Sequence, residues 1–433
     1  MTKMRCLLEI LDNWMVSLTG VLSLIGTLLV CVCANSCPGK PNLLPFNEND
    51  LHFVKSVPNG KLYQTSNIDP AISVVHLYGT PYQMGYAHGQ LLKDLVDEFI
   101  PQVMQYLEDK VGTVLQFLPV WLQKIIEVEG LYAALELTYY ATREYVDQRW
   151  IDEIQGIADG SGLDYQSIAN LHVFPELIQA ACSIVGAWGD SIKNTNGTLY
   201  QLRALDWSVD GPFQKWPALF VYHPNSDNGH PFSILSFAGF VGAITGYSSA
   251  PVGVCEKVWL SYNGTENRFG IPWHYLLRDI LQFDSDVSDA ITRIANAKRT
   301  CSIHVGLGDP QNFKLVEYGY DYIQVYDDVN YPVYEGHPKM KNLVYVNKHK
   351  QPSKEPCLGE ALQEGYGSID AEYLIRYVAA PHQTGDSHAA VYDFAQDSIY
   401  VSIASPYING SFVPAYDRQY TKFNMTQLFS ETQ

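Results

Sequence analysis

Apolar residues in the first half of the chain recur at helical spacing. Between Tyr82 and about Lys110, residues Leu91, Leu92, Leu95, Phe99, Val103 and Leu107 fall three or four apart, which predicts a helix. Pro101 lies inside it and would kink or divide it. The helical pattern continues over 119–158, with Trp121, Ile125, Ile126, Leu131 and Leu135 as core positions, until Gly160-Ser161-Gly162 breaks it. A short helix is expected over 164–174. Upstream, Ser73–Tyr78 reads as a strand, and residues 35–70, rich in Pro, Asn and Gly, read as an irregular arm. After about residue 180, short apolar or aromatic runs alternate with Gly, Asn and Asp clusters, which is how strands and turns are written. The runs are 182–188, 198–207, 217–223, 232–238, 241–247, 254–262, 302–307, 313–318, 322–326, 342–347 and 398–404. Helices are expected among them at 271–297 and 370–379. Helices first, then strands with helices between them, predict an α+β fold.

The N-terminus changes the picture. Lys3 and Arg5 precede a 20-residue stretch, Met15 to Ala34, without a charge. It reads as a signal peptide (residues 1–34) cleaved near Ala34; its length also suits an uncleaved signal anchor. Four Asn-x-Ser/Thr acceptors, at Asn196, Asn263, Asn409 and Asn424, fit an exported chain. The expected location is therefore lysosomal or extracellular. A formal net charge of −18 argues against a nucleic-acid partner, whose phosphates need Lys and Arg. It suits an acidic compartment, where partial protonation lowers self-repulsion, or serves solubility alone. The 30 Tyr, 17 Phe and 8 Trp can line a large apolar cleft as well as fill a core.

Signal cleavage would remove Cys6, Cys31 and Cys33 and leave five cysteines: Cys37, Cys182, Cys255, Cys301 and Cys357. An odd number in an exported protein points to an unpaired thiol or an intermolecular bridge. Cys182 has the most telling surroundings. It opens a strand-like run, 181–189, that is followed by a turn-rich stretch and a returning run, 198–207. Paired as a hairpin, with Trp188 or Gly189 opposite Leu199, the two runs set Cys182 against Leu205 or Asp206. Arg203 and Asp206 then fall on opposite sheet faces unless a bulge intervenes or the strand ends before Asp206. No HExxH or clustered His/Cys spacing points to a metal. No cofactor is expected, and His88 and His349 read as a packing residue and a surface residue.

The order Cys182-Ser183-Ile184-Val185, a Gly-containing turn, then Arg203-Ala204-Leu205-Asp206-Trp207 resembles the acid ceramidase and N-acylethanolamine acid amidase family. These are N-terminal nucleophile (Ntn) hydrolases, related to the penicillin acyltransferase and choloylglycine hydrolase enzymes. The stretch from Gly79 to Gly89 is similar to the first conserved segment of the acyltransferase branch, and Val241–Tyr247 to a later one. Arg203 sides with the ceramidase branch. The resemblance implies a four-layer αββα sandwich with a helical N-terminal portion. It also implies self-cleavage between Ala181 and Cys182, so that fragments 35–181 and 182–433 form one domain.

The chemistry gives a reason for that cut. A buried thiol needs a base, and a free α-amino group, with a pKa of about 7.7–8.0, supplies one without histidine. On the family's pattern Asp206 orients that amine, Arg203 holds a carboxylate or substrate carbonyl, and Asn347, ending the 342–347 strand, donates to the oxyanion. The substrate implied is an N-acyl amide with a lipid-like chain, such as a ceramide or N-acylethanolamine, with transient contact to a membrane or lipid activator. Rival readings are acyl transfer or peptide amide hydrolysis, phospholipase B-like ester hydrolysis, or a catalytically inactive secreted binding protein on the same fold. A papain-like enzyme is disfavoured, because Cys182 opens a strand and not a helix. With Cys182 set aside, four cysteines admit three connectivities. Cys37, the one mature cysteine before the cut, would tie the two fragments together; the expected set is Cys37–Cys357 and Cys255–Cys301.

Overall fold

The computed structural model describes residues 36–48, 50–114, 120–176, 180–193, 196–207, 211–214, 216–265, 267–408 and 411–433. The export segment 1–34 and Asn409 lie outside them. In chain order the first strands are β1 (Asn47–Glu48), β2 (Leu51–Val57), β3 (Gly60–Thr65) and β4 (Ser73–Gly79). Six helices follow: α1 (Pro81–Leu91), α2 (Lys93–Val114), α3 (Val120–Glu129), α4 (Leu131–Arg143), α5 (Gln148–Ser161) and α6 (Tyr165–Val173). Then come β5 (Ala181–Ala187), β6 (Tyr200–Asp206), β7 (Pro217–Pro224), β8 (Phe232–Phe237), β9 (Thr245–Ser248) and β10 (Gly253–Val258). Helices α7 (Trp273–Phe283) and α8 (Val287–Asn296) lead into β11 (Ile303–Gly308), β12 (Phe313–Tyr318), β13 (Ile323–Tyr326) and β14 (Leu343–Val346). The chain closes with α9 (Cys357–Glu364), α10 (Ala371–Tyr373), a π-helical segment Leu374–Ala379 and α11 (Ala380–His382). After these stand β15 (His388–Asp393), β16 (Ser398–Ile403), β17 (Ser405–Ile408), β18 (Ser411–Val413), β19 (Thr421–Asn424) and α12 (Met425–Phe429).

Two large sheets result. One has the order β1-β19-β16-β15-β6-β5-β14; the other runs β13-β12-β11-β10-β9-β8-β7-β4-β3-β2. Alternation along each strand sorts the side chains into layers. Ile184, Val344 and Val401 of the first sheet share a core with Leu219, Leu235 and Leu315 of the second, so the sheets stack face to face. The neighbouring positions Val185, Leu202 and Val391 turn outward onto Leu358, Leu362, Leu374 and Val378. On the far side, Val75, Phe220 and Ile234 meet Met84, Phe99, Ile154 and Leu277. The fold is α+β, with helices on both outer faces of two stacked sheets.

Helix α1 begins at a capping box, in which Thr80 and Gln83 bond reciprocally, with Pro81 in the first turn. It then lies unusually close to α5. A methyl group on Gly85 would stand 2.0 Å from the Glu153 carbonyl oxygen, and one on Gly156 2.3 Å from that of Tyr82. Gly85 and Gly89 of the 79–89 stretch therefore serve helix packing, while Gly79 ends β4 at φ +105°.

Several expectations are corrected. Residues 51–65 form the hairpin β2–β3 at the edge of the ten-stranded sheet; the Pro, Asn and Gly of the supposed irregular arm make its turn, where Asn59 has φ +64°. The first helical run divides at Leu92, and Pro101 lies inside α2. The 119–158 run is three helices, interrupted at Gly130 (φ +89°) and at residues 144–147. Only the end of 241–247 is strand. Helix α9 and strands β15 and β19 carried no sequence expectation.

Disulfide Cys37–Cys357 forms as expected, but Cys255 and Cys301 are not bridged. Cys255 pairs with Gly306 across β10–β11, and Cys301 lies five residues up the chain from Gly306. At roughly 3.4 Å per residue that is about 17 Å, against a disulfide limit of about 7 Å between Cα atoms.

Candidate active site

The hairpin β5–β6 sets the centre. Its register is unbroken from Ala187↔Tyr200 to Ala181↔Asp206, and Cys182 stands opposite Leu205. There is no bulge, and β6 includes Asp206, so neither device that would put Arg203 and Asp206 on one face is used. Arg203 turns toward the second sheet, where its Nη2 lies 3.7 Å from Glu256 Oε2 on β10. Asp206 turns the other way. Its Oδ2 accepts from the Thr384 hydroxyl at 2.6 Å and its Oδ1 from the Gly385 N–H at 3.0 Å, with Lys348 Nζ 3.9 Å away. Thr384 Oγ1 also lies 2.7 Å from the hydroxyl of Ser183. Asp206 thus flanks the backbone at the Ala181–Cys182 junction and not the thiol.

Apart from Lys348, which is partly exposed, these groups are buried. Cys182 and Arg203 are 0% exposed, and Glu256 is 3%. Burial pushes the Cys182 thiol up to about 12, against the pull of Arg203. A nearby proton acceptor is therefore required before it can attack. Burial likewise pushes Glu256 up to about 7, opposed by Arg203 and Lys257. Burial also raises Asp206, opposed first by Lys348 and then by its two hydrogen bonds. Lys257 is lowered by burial, with Cys182, Glu256 and Asp206 drawing it back up.

Arg203 is the anomaly. None of its three side-chain nitrogens has a hydrogen-bond partner, and Glu256 Oε1 has none either. An inaccessible guanidinium left in this state is costly. A cavity lies beside it. Arg203 and Glu256 form its polar corner, and Phe99, Leu171, Phe213, Phe237, Phe240 and Trp273 contribute apolar wall. The volume is about 60 Å³. Leu205, the cross-strand partner of Cys182, also lines it.

Asn347 follows β14, whose Val346 pairs with Ile184, so it reaches the same end of the sheet as Cys182. Its amide is committed to the 347–355 loop. Nδ2 lies 3.0 Å from Ser353 Oγ and 3.3 Å from the Glu355 carbonyl oxygen, and Oδ1 accepts from His349 N–H and from Gln351 Nε2. Glu256, Lys257, Lys348 and Thr384 were missed from the sequence. They sit on other strands and loops, and only the Glu256-Lys257 pair inside an apolar strand run carried a local signal. Val241–Tyr247 serves as support: Val241 donates its N–H to His172 and accepts from Arg278, and Ile244 reaches the cavity wall. His88 packs, as expected, with Nε2 accepting from Gly239 N–H. The acceptors Asn196, Asn263 and Asn424 are exposed.

No protein-family model matches the chain. Protein dcd1B of Dictyostelium discoideum is 44% identical over 406 residues, covering 89% of this chain and 80% of that protein. Protein dcd1A of the same organism is 43% identical over 419 residues, covering 91% and 94%. Acid ceramidase of Rattus norvegicus is 24% identical over 243 residues, 49% of this chain and 59% of that one. Among solved structures, the Caenorhabditis elegans N-acylethanolamine-hydrolyzing acid amidase ortholog gives a TM-score of 0.37 at 14% identity, covering 48% of this chain and 92% of that one. Penicillin V acylase from Agrobacterium tumefaciens gives 0.39 at 12%, covering 57% and 89%. On its identity to the two Dictyostelium discoideum proteins over most of its length, the chain belongs to the family of dcd1A and dcd1B.

Proposed function

We propose that the protein is an amide hydrolase that cuts its own Ala181–Cys182 bond and then uses Cys182 as an N-terminal nucleophile. The observation that carries this reading is the fully buried Arg203, ion-paired to Glu256 at 3.7 Å but with none of its guanidinium nitrogens hydrogen-bonded, on the wall of an apolar cavity and one strand away from a buried, unbridged thiol. A structural ion pair has no reason to leave three guanidinium nitrogens without acceptors. A site awaiting a carbonyl or carboxylate does.

In the first reaction the Cys182 thiol attacks the Ala181 carbonyl carbon, and its proton passes to the Cys182 backbone nitrogen as the C–N bond to Cys182 breaks; water then hydrolyses the resulting thioester. The new α-amino group lies on the Asp206 side of the hairpin, where Asp206 orients it. In the second reaction that amine takes the thiol proton as sulfur attacks the substrate's acyl carbon. Arg203 and, once its amide turns from Ser353, Asn347 donate to the oxyanion. The amine product leaves with the proton, and water attacks the thioester to release the acid. The substrate class that fits is an N-acyl amide with a lipid-like chain, whose acyl part would enter the aromatic-walled cavity. The disulfide, the exposed glycosylation acceptors and the acidic composition support a lysosomal or secreted setting.

Expression of wild type and Cys182→Ala, followed by a reducing gel, tests the reading. Wild type should give two fragments, the larger beginning at Cys182, and the variant one band. The mature form should release labelled acid from ceramide or N-acylethanolamine but not from lysophospholipid. Wild type that stays intact at acidic pH sinks the self-processing step.

A further inference from the structure

We propose that His349, Glu355 and His382 form a binding site for a divalent transition-metal ion of the zinc type. His349 and Glu355 share one loop and His382 comes from a later helix, and the three bring one ligand atom each to within 4.8 Å of one another. Two imidazoles and a carboxylate are a donor set that zinc favours. The claim concerns binding and does not depend on the hydrolase reading.

The cluster has an open side and a closed side. His349 is exposed, Glu355 is partly buried, and His382, the last residue of α11, is 2% exposed. Both ring nitrogens of His382 are buried without a hydrogen-bond partner. Its Nδ1 lies 3.3 Å from Glu355 Oε2, in an orientation that makes no hydrogen bond. Ligands about 2.0–2.1 Å from a tetrahedral ion are separated by roughly 3.3 Å, so this pair already has the spacing that such an ion imposes. Glu355 is also held from behind: its Oε1 accepts from the Cys357 N–H at 2.8 Å, and Cys357 is tied to Cys37. Ligand carboxylates are commonly braced in this way. The neighbouring cation, Lys348, is turned aside onto the Gln383 carbonyl and toward Asp206. Exposed His349 leaves the fourth coordination position to water.

An ion here would couple two segments that Lys348 already joins through the Gln383 carbonyl. One is the loop 347–355, which holds the Asn347 amide. The other is the turn after His382, where Gln383 adopts φ +54° and Thr384 and Gly385 then grip Asp206. The site thus sits behind Asp206 as a clamp.

The test uses the full purified chain, stripped with a chelator. Zn²⁺ is titrated in competition with a chromophoric chelator, and Co²⁺ is followed by its visible absorption. Wild type should bind one equivalent and give tetrahedral Co²⁺ bands. His349→Ala removes an exposed ligand, so the fold is kept. Loss of a supporting partner costs about 10–100-fold in affinity, so loss of a ligand should cost at least about 100-fold. Glu355→Gln should lose the Co²⁺ bands while keeping the wild-type circular dichroism. Absence of saturable binding in wild type, or equal binding in wild type and His349→Ala, overturns the proposal.

Discussion

Asp206 stands directly across the β5–β6 pair from Ala181, while Cys182 stands across from Leu205. The carboxylate therefore attends the backbone at the Ala181–Cys182 junction, and Arg203, on the opposite face of the same strand, attends the cavity side. On the function proposed above, one strand would serve two roles from its two faces: orientation of a nascent amine and recognition of an acyl group.

The grip on Asp206 should be measurable through Thr384. Thr384→Val removes the 2.6 Å donor without touching substrate or thiol. A hydrogen bond to a charged group contributes about 1.5–3 kcal/mol, so self-cleavage and turnover should each slow by roughly 10–100-fold. Time courses of fragment appearance at fixed pH check this. Thr384→Ser, which keeps the hydroxyl, should restore most of the rate; equal defects in both variants would refute the role.

Arg203 and Glu256 should trade stability for function. Replacing a buried ion pair with apolar residues is often neutral or stabilising by about 1–4 kcal/mol, whereas removing one partner costs about 3–5 kcal/mol. Arg203→Met combined with Glu256→Met should therefore melt at or above the wild-type temperature, yet lack activity. Glu256→Met alone should melt lower, because it strands the guanidinium. Thermal melts of the three proteins decide; a double variant less stable than the single one contradicts the argument.

Glu256 should also leave a pH signature. Its folded pKa is raised from 4.5 to about 7, so the fold favours the neutral carboxyl. That contribution is fully present below the ordinary carboxyl range and is lost as pH rises toward 7. Buried histidines act in the opposite sense. His88 and His304 are lowered to about 3, so the unfolded chain takes up protons first and stability falls as pH drops below 6.5. The total curve mixes the two effects, but the difference between wild type and Glu256→Gln isolates the carboxyl. That difference should shift in favour of wild type by up to about 3 kcal/mol between pH 8 and pH 4.5. A flat difference across that range rules the carboxyl out as the source.

The disulfide predicts the behaviour of the cut chain. Cys37 lies in the fragment before Cys182 and Cys357 in the fragment after it. Mature protein should run as one band without reductant and as two with it. Under denaturing, nonreducing conditions, alkylation should label both Cys255 and Cys301. A Cys255–Cys301 peptide in the map would contradict the β10–β11 register.

The sequence by itself determined what lies close along the chain. The hairpin that carries Cys182, Arg203 and Asp206 spans fewer than thirty residues, so period-two alternation was enough to propose its register. It was not enough to choose between Leu205 and Asp206 opposite Cys182, because turn geometry sets that last step. The α+β class was legible for the same reason: helical and strand periods are local properties.

Tertiary structure decided the rest. Glu256 reaches Arg203 only because β10 of one sheet stacks against β6 of the other. Thr384 reaches Asp206 across nearly 180 residues of intervening chain, after a left-handed turn at Gln383. Residues 51–65 seemed irregular because an edge hairpin gains its order from the neighbouring strand and shows little pattern alone. His349, Glu355 and His382 carry no motif spacing, since α11 and the 347–355 loop come together only when α9–α11 pack on the outer face of the seven-stranded sheet. Such contacts are set by which layers meet, and the periodicity of any single segment does not encode that.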